Sequence, residues 1–218
     1  MRLHFKIQNL EMTIPFDHQP QLTGSIHKWL GWNEEHGKMS LYSFSRLEGA
    51  KVTKEGLRFQ DGASFFFSSY DVKLIQDMIK GIQKDPTMFN GLSISEVIIQ
   101  DDPDLSDKTH FFLGSPILIK RRNEDRTDHI LFDNPQSNIF IKETLQKKMA
   151  LAGLQDNTLD VRFDTSYLKA GSKKVNYNGI ENRCSWCPVF IEGKPETKRF
   201  AWNVGLGNST GIGFGAIK

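Results

Sequence analysis

Polar and apolar positions alternate over residues 3–9, Leu3-His4-Phe5-Lys6-Ile7-Gln8-Asn9, and a period of two predicts a strand with one face buried. The period then changes. After Asp17 and Pro20, which suit a helix start, Leu22, Ile26 and Leu30 recur every four residues on one helical face. The segment GLRFQDGASFFFS predicts two strands joined by a hairpin turn at Asp61-Gly62. Ser69 is placed to cap a second helix, whose Val72, Ile75, Ile79 and Ile82 follow at helical spacing until Pro86 stops it. Residues 93–100 predict a closing strand. The order is strand, helix, strand, strand, helix, strand.

The acidic, aperiodic stretch Asp101-Asp102-Pro103-Asp104 reads as a linker, dividing the chain into residues 1–104 and 105–218. Beyond it, residues 111–120 predict a strand interrupted by Pro116. Asn134 and Pro135 open a helix carrying Ile141, Leu145, Met149 and Ala152, and Gly153 closes it. Residues 159–164 alternate cleanly, and residues 184–192 and 197–205 read as further strands. The second helix of this copy belongs somewhere in residues 166–182, although that stretch reads as loop. The repeated order predicts an α+β protein of tandem ferredoxin-like (RRM-like, βαββαβ) units with a C-terminal glycine-rich loop.

That loop lies in GLGNSTGIGFGAIK, with Gly205, Gly207, Gly211, Gly213 and Gly215. A dinucleotide-binding loop needs a helix after it, and only Ala216, Ile217 and Lys218 follow; a P-loop needs Gly-Lys-Ser/Thr, which is missing. The expectation that remains is a flexible turn between two strands, FAWNVGL and GFGAIK. Its glycines would let the backbone approach a phosphate chain.

Composition narrows the class without naming it. Sixteen phenylalanines in 218 residues suit a folded, strand-rich chain, and the longest apolar runs are strand-length, so no membrane span is expected. The first twelve residues mix charges with apolar residues and lack the apolar core of a signal peptide, which makes a cytoplasmic protein the expectation. Cys184 and Cys187 form one C-x-x-C with no second ligand pair, so the expected role is structural, with neither metal nor cofactor. Net charge is only +2, but its distribution is uneven. Residues 1–105 hold eleven basic against fourteen acidic side chains, and residues 106–218 hold seventeen against twelve. The basic residues cluster at Lys120, Arg121 and Arg122, at Lys142, Lys147 and Lys148, and at Lys173 and Lys174. Such clusters suit phosphate contacts.

The candidate chemistry lies near the first helix. His27 on it and His36 just beyond it, with Lys38 and several hydroxyls nearby, form a set able to move protons near neutral pH without a metal. Neither paired carboxylates nor a G-x-S-x-G or H-E-x-x-H motif competes with it.

Three stretches, HQPQLTGSIHKWL, HGKMSLYSFSRL and GLGNSTGIGFG, are similar to those of a known family, with weaker support from KETLQKKMALAG. The chain resembles, over nearly its whole length, the CRISPR-associated endoribonuclease of the Cas-six type, in the RAMP superfamily, which cuts precursor CRISPR RNA within each repeat. The resemblance implies tandem ferredoxin-like domains and metal-independent cleavage, with products ending in a 2′,3′-cyclic phosphate and a 5′-hydroxyl. It matches His36 to the family's catalytic histidine and puts His27 where many members have a tyrosine, as partner acid or base. Lys38 is offset from the family's catalytic lysine, whose place Ser40 takes here. Tyr42 and Ser43 are expected to pack. The loop glycines 205, 207, 211, 213 and 215, with Asn208, Ser209 and Thr210 at its tip, would lie against RNA. Lys120, Arg121, Arg122, Lys173 and Lys174 would meet its backbone. The implied partners are precursor and processed CRISPR RNA, with other effector subunits and a homodimer admitted by family analogy. The alternative from the same superfamily is a non-catalytic RNA-binding subunit of an effector complex.

Overall fold

The computed structural model describes residues 1–8, 10–31, 39–124 and 126–218. The first half runs β1 (Arg2–Ile7), β2 (Leu10–Ile14), α1 (Gln19–Leu30), β3 (Tyr42–Phe44), β4 (Lys51–Val52), β5 (Leu57–Phe59), β6 (Ala63–Ser69), α2 (Val72–Lys84) and β7 (Ile94–Gln100). An antiparallel sheet of order β3-β6-β1-β7 organises it, with Phe5 opposite Phe65 on one side and Val97 on the other. Alternation sends Leu3, Phe5 and Ile7 into one core with Leu22, Ile26 and Trp29 of α1 and Leu74, Ile75 and Met78 of α2.

The second half runs β8 (His110–Phe111), β9 (Lys120–Arg122), β10 (Thr127–His129), α3 (Ser137–Leu151), β11 (Asp160–Phe163), β12 (Gly171–Tyr177), β13 (Ile180–Trp186), β14 (Val189–Glu192) and α4 (Pro195–Val204). Its sheet is β11-β14-β8, extended beyond β8 by the end of the chain. There Phe112 N–H donates to Lys218 O at 3.1 Å, Lys218 N–H returns to Phe112 O at 2.8 Å, and Gly114 N–H donates to Ala216 O at 2.7 Å. Strand order is therefore the same in both halves. A second core gathers Ile141, Leu145 and Met149 of α3 and Phe200, Ala201 and Val204 of α4 over Phe111, Val161, Phe163, Val189 and Ile191.

Several sequence expectations change. Residues 197–205, expected as a strand, form α4 up to Val204. Its aromatic and β-branched residues imitate a strand, and because its last five residues, Phe200, Ala201, Trp202, Asn203 and Val204, are all buried, only Glu196 and Arg199 mark a polar side and the helical period is hard to see. Pro195 in its first turn was the available signal. This is the helix expected in residues 166–182, which instead contain β12 and much of the β12–β13 hairpin; Asn178 and Gly179, at φ 51° and 80°, make its turn. The expected strand 184–192 breaks between β13 and β14 at Cys187-Pro188. The Asp61-Gly62 turn exists, but β5 pairs with β2 and β4 while β6 joins the main sheet, so the two strands are not a hairpin. Asp71, rather than Ser69, caps α2, its carboxylate accepting from Lys73 N–H at 2.8 Å. Residues 111–120 reduce to the end of β8 at Phe111, isolated bridges at Leu113 and Ile117, and the start of β9 at Lys120. Among the described residues, no helix is long and apolar enough to cross a membrane.

The halves are fastened together near Arg2. Its guanidinium lies between the rings of Phe66 and Trp202, 3.8 and 3.5 Å from their centroids, and donates to Ser68 Oγ (2.6 Å), Trp202 O (3.0 Å) and Ile217 O (2.7 Å).

Candidate nucleic-acid interface at the glycine loop

The loop begins where Gly205, at φ 68°, turns the chain out of α4. It then folds back on itself: Leu206 N–H donates to Gly215 O at 2.8 Å and Gly215 N–H to Pro116 O at 2.8 Å. Gly215, at φ 69°, has the Leu206 carbonyl where a Cβ would stand, and Gly213, at φ 89°, has the Gln19 amide there. Any side chain at either position meets both a steric block and an unfavourable backbone. These two glycines admit neighbouring protein groups. Gly205, Gly207 and Gly211 are buried as well, and only Asn208, Ser209 and Ile212 of the loop are part-exposed. The expected flexible turn between two strands is a packed connection between a helix and the last strand-like stretch.

Helix α1 holds the loop through a stripe one helical turn apart. Gln19 Nε2 donates to Ile212 O at 3.0 Å, and Thr23 Oγ1 reaches the same carbonyl at 3.4 Å. His27 Nε2 lies 3.2 Å from Gly211 O. Residues 19, 23 and 27 fall on one face because four residues span slightly more than a turn. The Tyr42 hydroxyl of β3 completes the group, 3.3 Å from His27 Nε2 and 3.4 Å from Gly211 O, and Ser43 Oγ donates to Asn203 O at 3.0 Å. A carbonyl only accepts, so His27 carries a hydrogen on Nε2. His36 and Lys38 lie outside the described residues.

Beside the exposed tip is a cavity of about 410 Å³, lined by Ser40, Lys120, Thr144, Lys148, Asn208 and Ser209 among others. Lys120 is half-buried there, and its backbone N–H donates to Asn208 Oδ1 at 2.8 Å. Lys148, which the sequence groups with surface charges, is buried and donates to Val204 O (2.9 Å), Gly205 O (3.2 Å) and Thr210 Oγ1 (3.0 Å). Burial pushes its pKa down to about 7.

The remaining basic residues surround this region less tightly. Arg121 pairs with Glu143 at 2.6 Å and stacks on Phe140, while Arg122 is exposed. Lys173 and Lys174 are exposed on β12, Lys174 paired with Glu181 at 3.1 Å. Their hairpin packs through Val175 and Cys184 onto Leu118 and Phe214. Cys184 and Cys187 are buried free thiols whose pKa values burial pushes up to about 12, which leaves them unreactive near neutrality. Sequence reasoning missed Gln19, Thr23 and Lys148 as loop supports. The polar stripe 19/23/27 beside the apolar stripe 22/26/30 was the legible sign of the first two.

The family model for CRISPR associated protein Cas6, C-terminal, matches residues 100–218, and the chain belongs to that family. It is 25% identical over its whole length to CRISPR-associated endoribonuclease Cas6 1 of Methanocaldococcus jannaschii, covering 92% of that protein. It is 24% identical, again over its whole length, to the putative CRISPR-associated endoribonuclease-like protein Cas6 of Pyrococcus furiosus, covering 98% of it. Its fold superposes on a solved CRISPR associated protein Cas6 with a TM-score of 0.84 at 22% identity, covering 100% of this chain and 98% of that one.

Proposed function

We propose that this chain is an endoribonuclease that cleaves CRISPR repeat RNA without a metal, on a framework of two ferredoxin-like domains, residues 1–104 and 105–218. The observation that carries the reading is the seat of His27. One helix face brings its imidazole to Gly211 O, beside a basic cavity at the loop tip that Met39 also lines. Lys38 immediately precedes Met39 in the chain, and His36 stands three residues before it. Membership of the family and the relative named as an endoribonuclease, with a second named as endoribonuclease-like, support the same reading.

RNA supplies its own nucleophile, because each 2′-hydroxyl lies beside the phosphate it attacks. The protein must remove that proton, hold the hydroxyl in line with the leaving 5′-oxygen and protonate that oxygen. His36 is assigned the base. His27, as the imidazolium, is assigned the acid and returns to neutral imidazole on protonating the leaving oxygen. Lys38 steadies charge gathering on the phosphate oxygens. The products are a 2′,3′-cyclic phosphate and a 5′-hydroxyl. Asn208 and Ser209 at the part-exposed tip contact the strand, the buried loop glycines shape that tip, and Lys120, Arg121, Arg122, Lys173 and Lys174 follow the RNA backbone.

Purified protein is expected to cut its cognate repeat RNA in EDTA, and a 2′-deoxy scissile nucleotide to stop the reaction. Cutting of that deoxy substrate overturns 2′-hydroxyl attack. In single-turnover assays H36A should be slower by about 10²–10⁴-fold. Its RNA affinity should stay within a few-fold, since phosphate contacts dominate binding. Full activity in H36A moves the chemistry elsewhere.

A further inference from the structure

Lys148 is a buried cation that the cleavage chemistry above does not use. It reaches from α3 to both ends of one stretch of the glycine loop. At the root, its Nζ donates to Val204 O and Gly205 O, so that the C-terminal carbonyls of α4 face a positive group. At the far end it donates to Thr210 Oγ1, which closes a staple across residues 205–210. All three partners are uncharged oxygens, and among the described residues no ion pair offsets the desolvation of the ammonium. What the side chain supplies is direction.

The point it holds is one that the other half of the molecule holds as well. Residues Thr210–Ile212 form a single 3₁₀ turn, with Ile212 N–H donating to Ser209 O and Gly213 N–H to Thr210 O, each at 3.1 Å. Lys148 grips this turn from the second half through the Thr210 hydroxyl. From the first half, α1 grips it through Gln19 and Thr23 at Ile212 O and through His27 at Gly211 O. A turn this short, closed by bonds three residues apart, moves as a unit. Displacing Thr210 therefore carries with it the carbonyl that the His27 ring meets.

The mildest way to release the staple is T210V, which removes the hydroxyl and keeps the branched shape. Burial lowers the pKa of Lys148 to about 7, so without its third acceptor the side chain is accommodated as a neutral amine. Its two hydrogens then match Val204 O and Gly205 O, and no donor is stranded.

We propose that Lys148 is a positioning residue for RNA cleavage, fixing through Thr210 the Gly211 carbonyl that orients the His27 imidazole. The proposal rests on the nuclease reading above, in which His27 is the acid. Its test uses the full chain and T210V, T210S, K148M, H27A and the double variant H27A/T210V. Single-turnover cleavage of the cognate repeat RNA is measured with its dissociation constant. The His27 ring is followed by ¹⁵N-histidine NMR of the free protein, its signal being the one missing from H27A.

T210V should slow cleavage at saturating RNA by about tenfold to a hundredfold, the scale on which a displacement of about 1 Å acts. The dissociation constant should stay within a few-fold, because phosphate contacts dominate binding. T210V and K148M should both move the His27 signal, and T210S, which keeps the hydroxyl, should restore signal and rate. In H27A, adding T210V should slow the reaction no further, since residues that act through one group are not additive. A thermal melt checks each variant, and T210V with T210S carries the test if K148M does not fold.

The proposal is overturned if T210V leaves the His27 signal or the cleavage rate unchanged. It is overturned equally if T210V slows H27A as much as it slows the unmodified protein, the mark of a general loosening. The NMR signal is read without RNA and so stands apart from the nuclease reading. Absence of cleavage by the unmodified protein removes that reading and the role in cleavage with it, while a shifted signal keeps the linkage from Lys148 to His27.

Discussion

Lys148 has three donors and three oxygens to receive them, yet it lies in a place water does not reach. Both facts bear on stability. Removing the side chain in K148M strands two carbonyls and a hydroxyl, while ending the cost of burying an ammonium. The balance shifts with pH in a defined direction. With the native pKa lowered to about 7 and the unfolded value near 10.4, the unfolded chain holds more protons between those limits. Stability owed to Lys148 therefore rises from pH 7 to pH 10. Urea unfolding of the unmodified protein and K148M at pH 6, 8 and 10 should show the gap between them moving in favour of the lysine. A gap that shrinks with pH would mean that the three oxygens hold the proton on. At this scale the sequence was only partly legible. The polar stripe 19/23/27 could be read beside the apolar stripe of α1, whereas nothing in KKMAL distinguishes exposed Lys147 from buried Lys148, because only packing does so.

Asp156 makes the same point for an element. It accepts from Thr158 N–H and Oγ1 in its own turn and from Lys194 N–H and Thr197 Oγ1 at the start of α4. Burial raises its pKa, but these hydrogen bonds outweigh that and hold it well below the usual carboxylate range. The lowered pKa makes the charged form a source of stability that is complete above pH 4 and lost as pH falls through the native value. D156A should lower the unfolding free energy at pH 7 by about 2–3 kcal/mol, measured by urea denaturation. The difference should narrow as the pH is taken below 4, and a difference that stays constant with pH would refute the assignment. Elements with one wet face were legible: α1, α2, β1 and β7 follow their patterns. Element α4 was not, since burial on nearly every side erases periodicity, and the Asn178-Gly179 turn went unread beside the search for a helix.

For the whole molecule, the shared strand order of the two halves was foreshadowed by the repeated element order, but the seam was not, because contacts 200 residues apart leave no local trace. Arg2 is the clearest example, clasped by a ring from each half and feeding the carbonyls of Trp202 and Ile217. Its guanidinium stays charged even when buried. R2M should cost about 2–4 kcal/mol by removing hydrogen bonds that no aliphatic side chain replaces. It should also separate one cooperative transition into two, followed by tryptophan emission on heating. A single transition at an unchanged midpoint would show that the clasp is dispensable.

The bolting of residues 205–215 onto α1 and β3 carries a consequence for turnover. A segment with carbonyls where side chains would stand, and with one helix fixing two of its carbonyls, cannot swing open as a gate. On the proposed reading, RNA threads past a fixed anvil, and departure of the cut strand depends on its own charge and length.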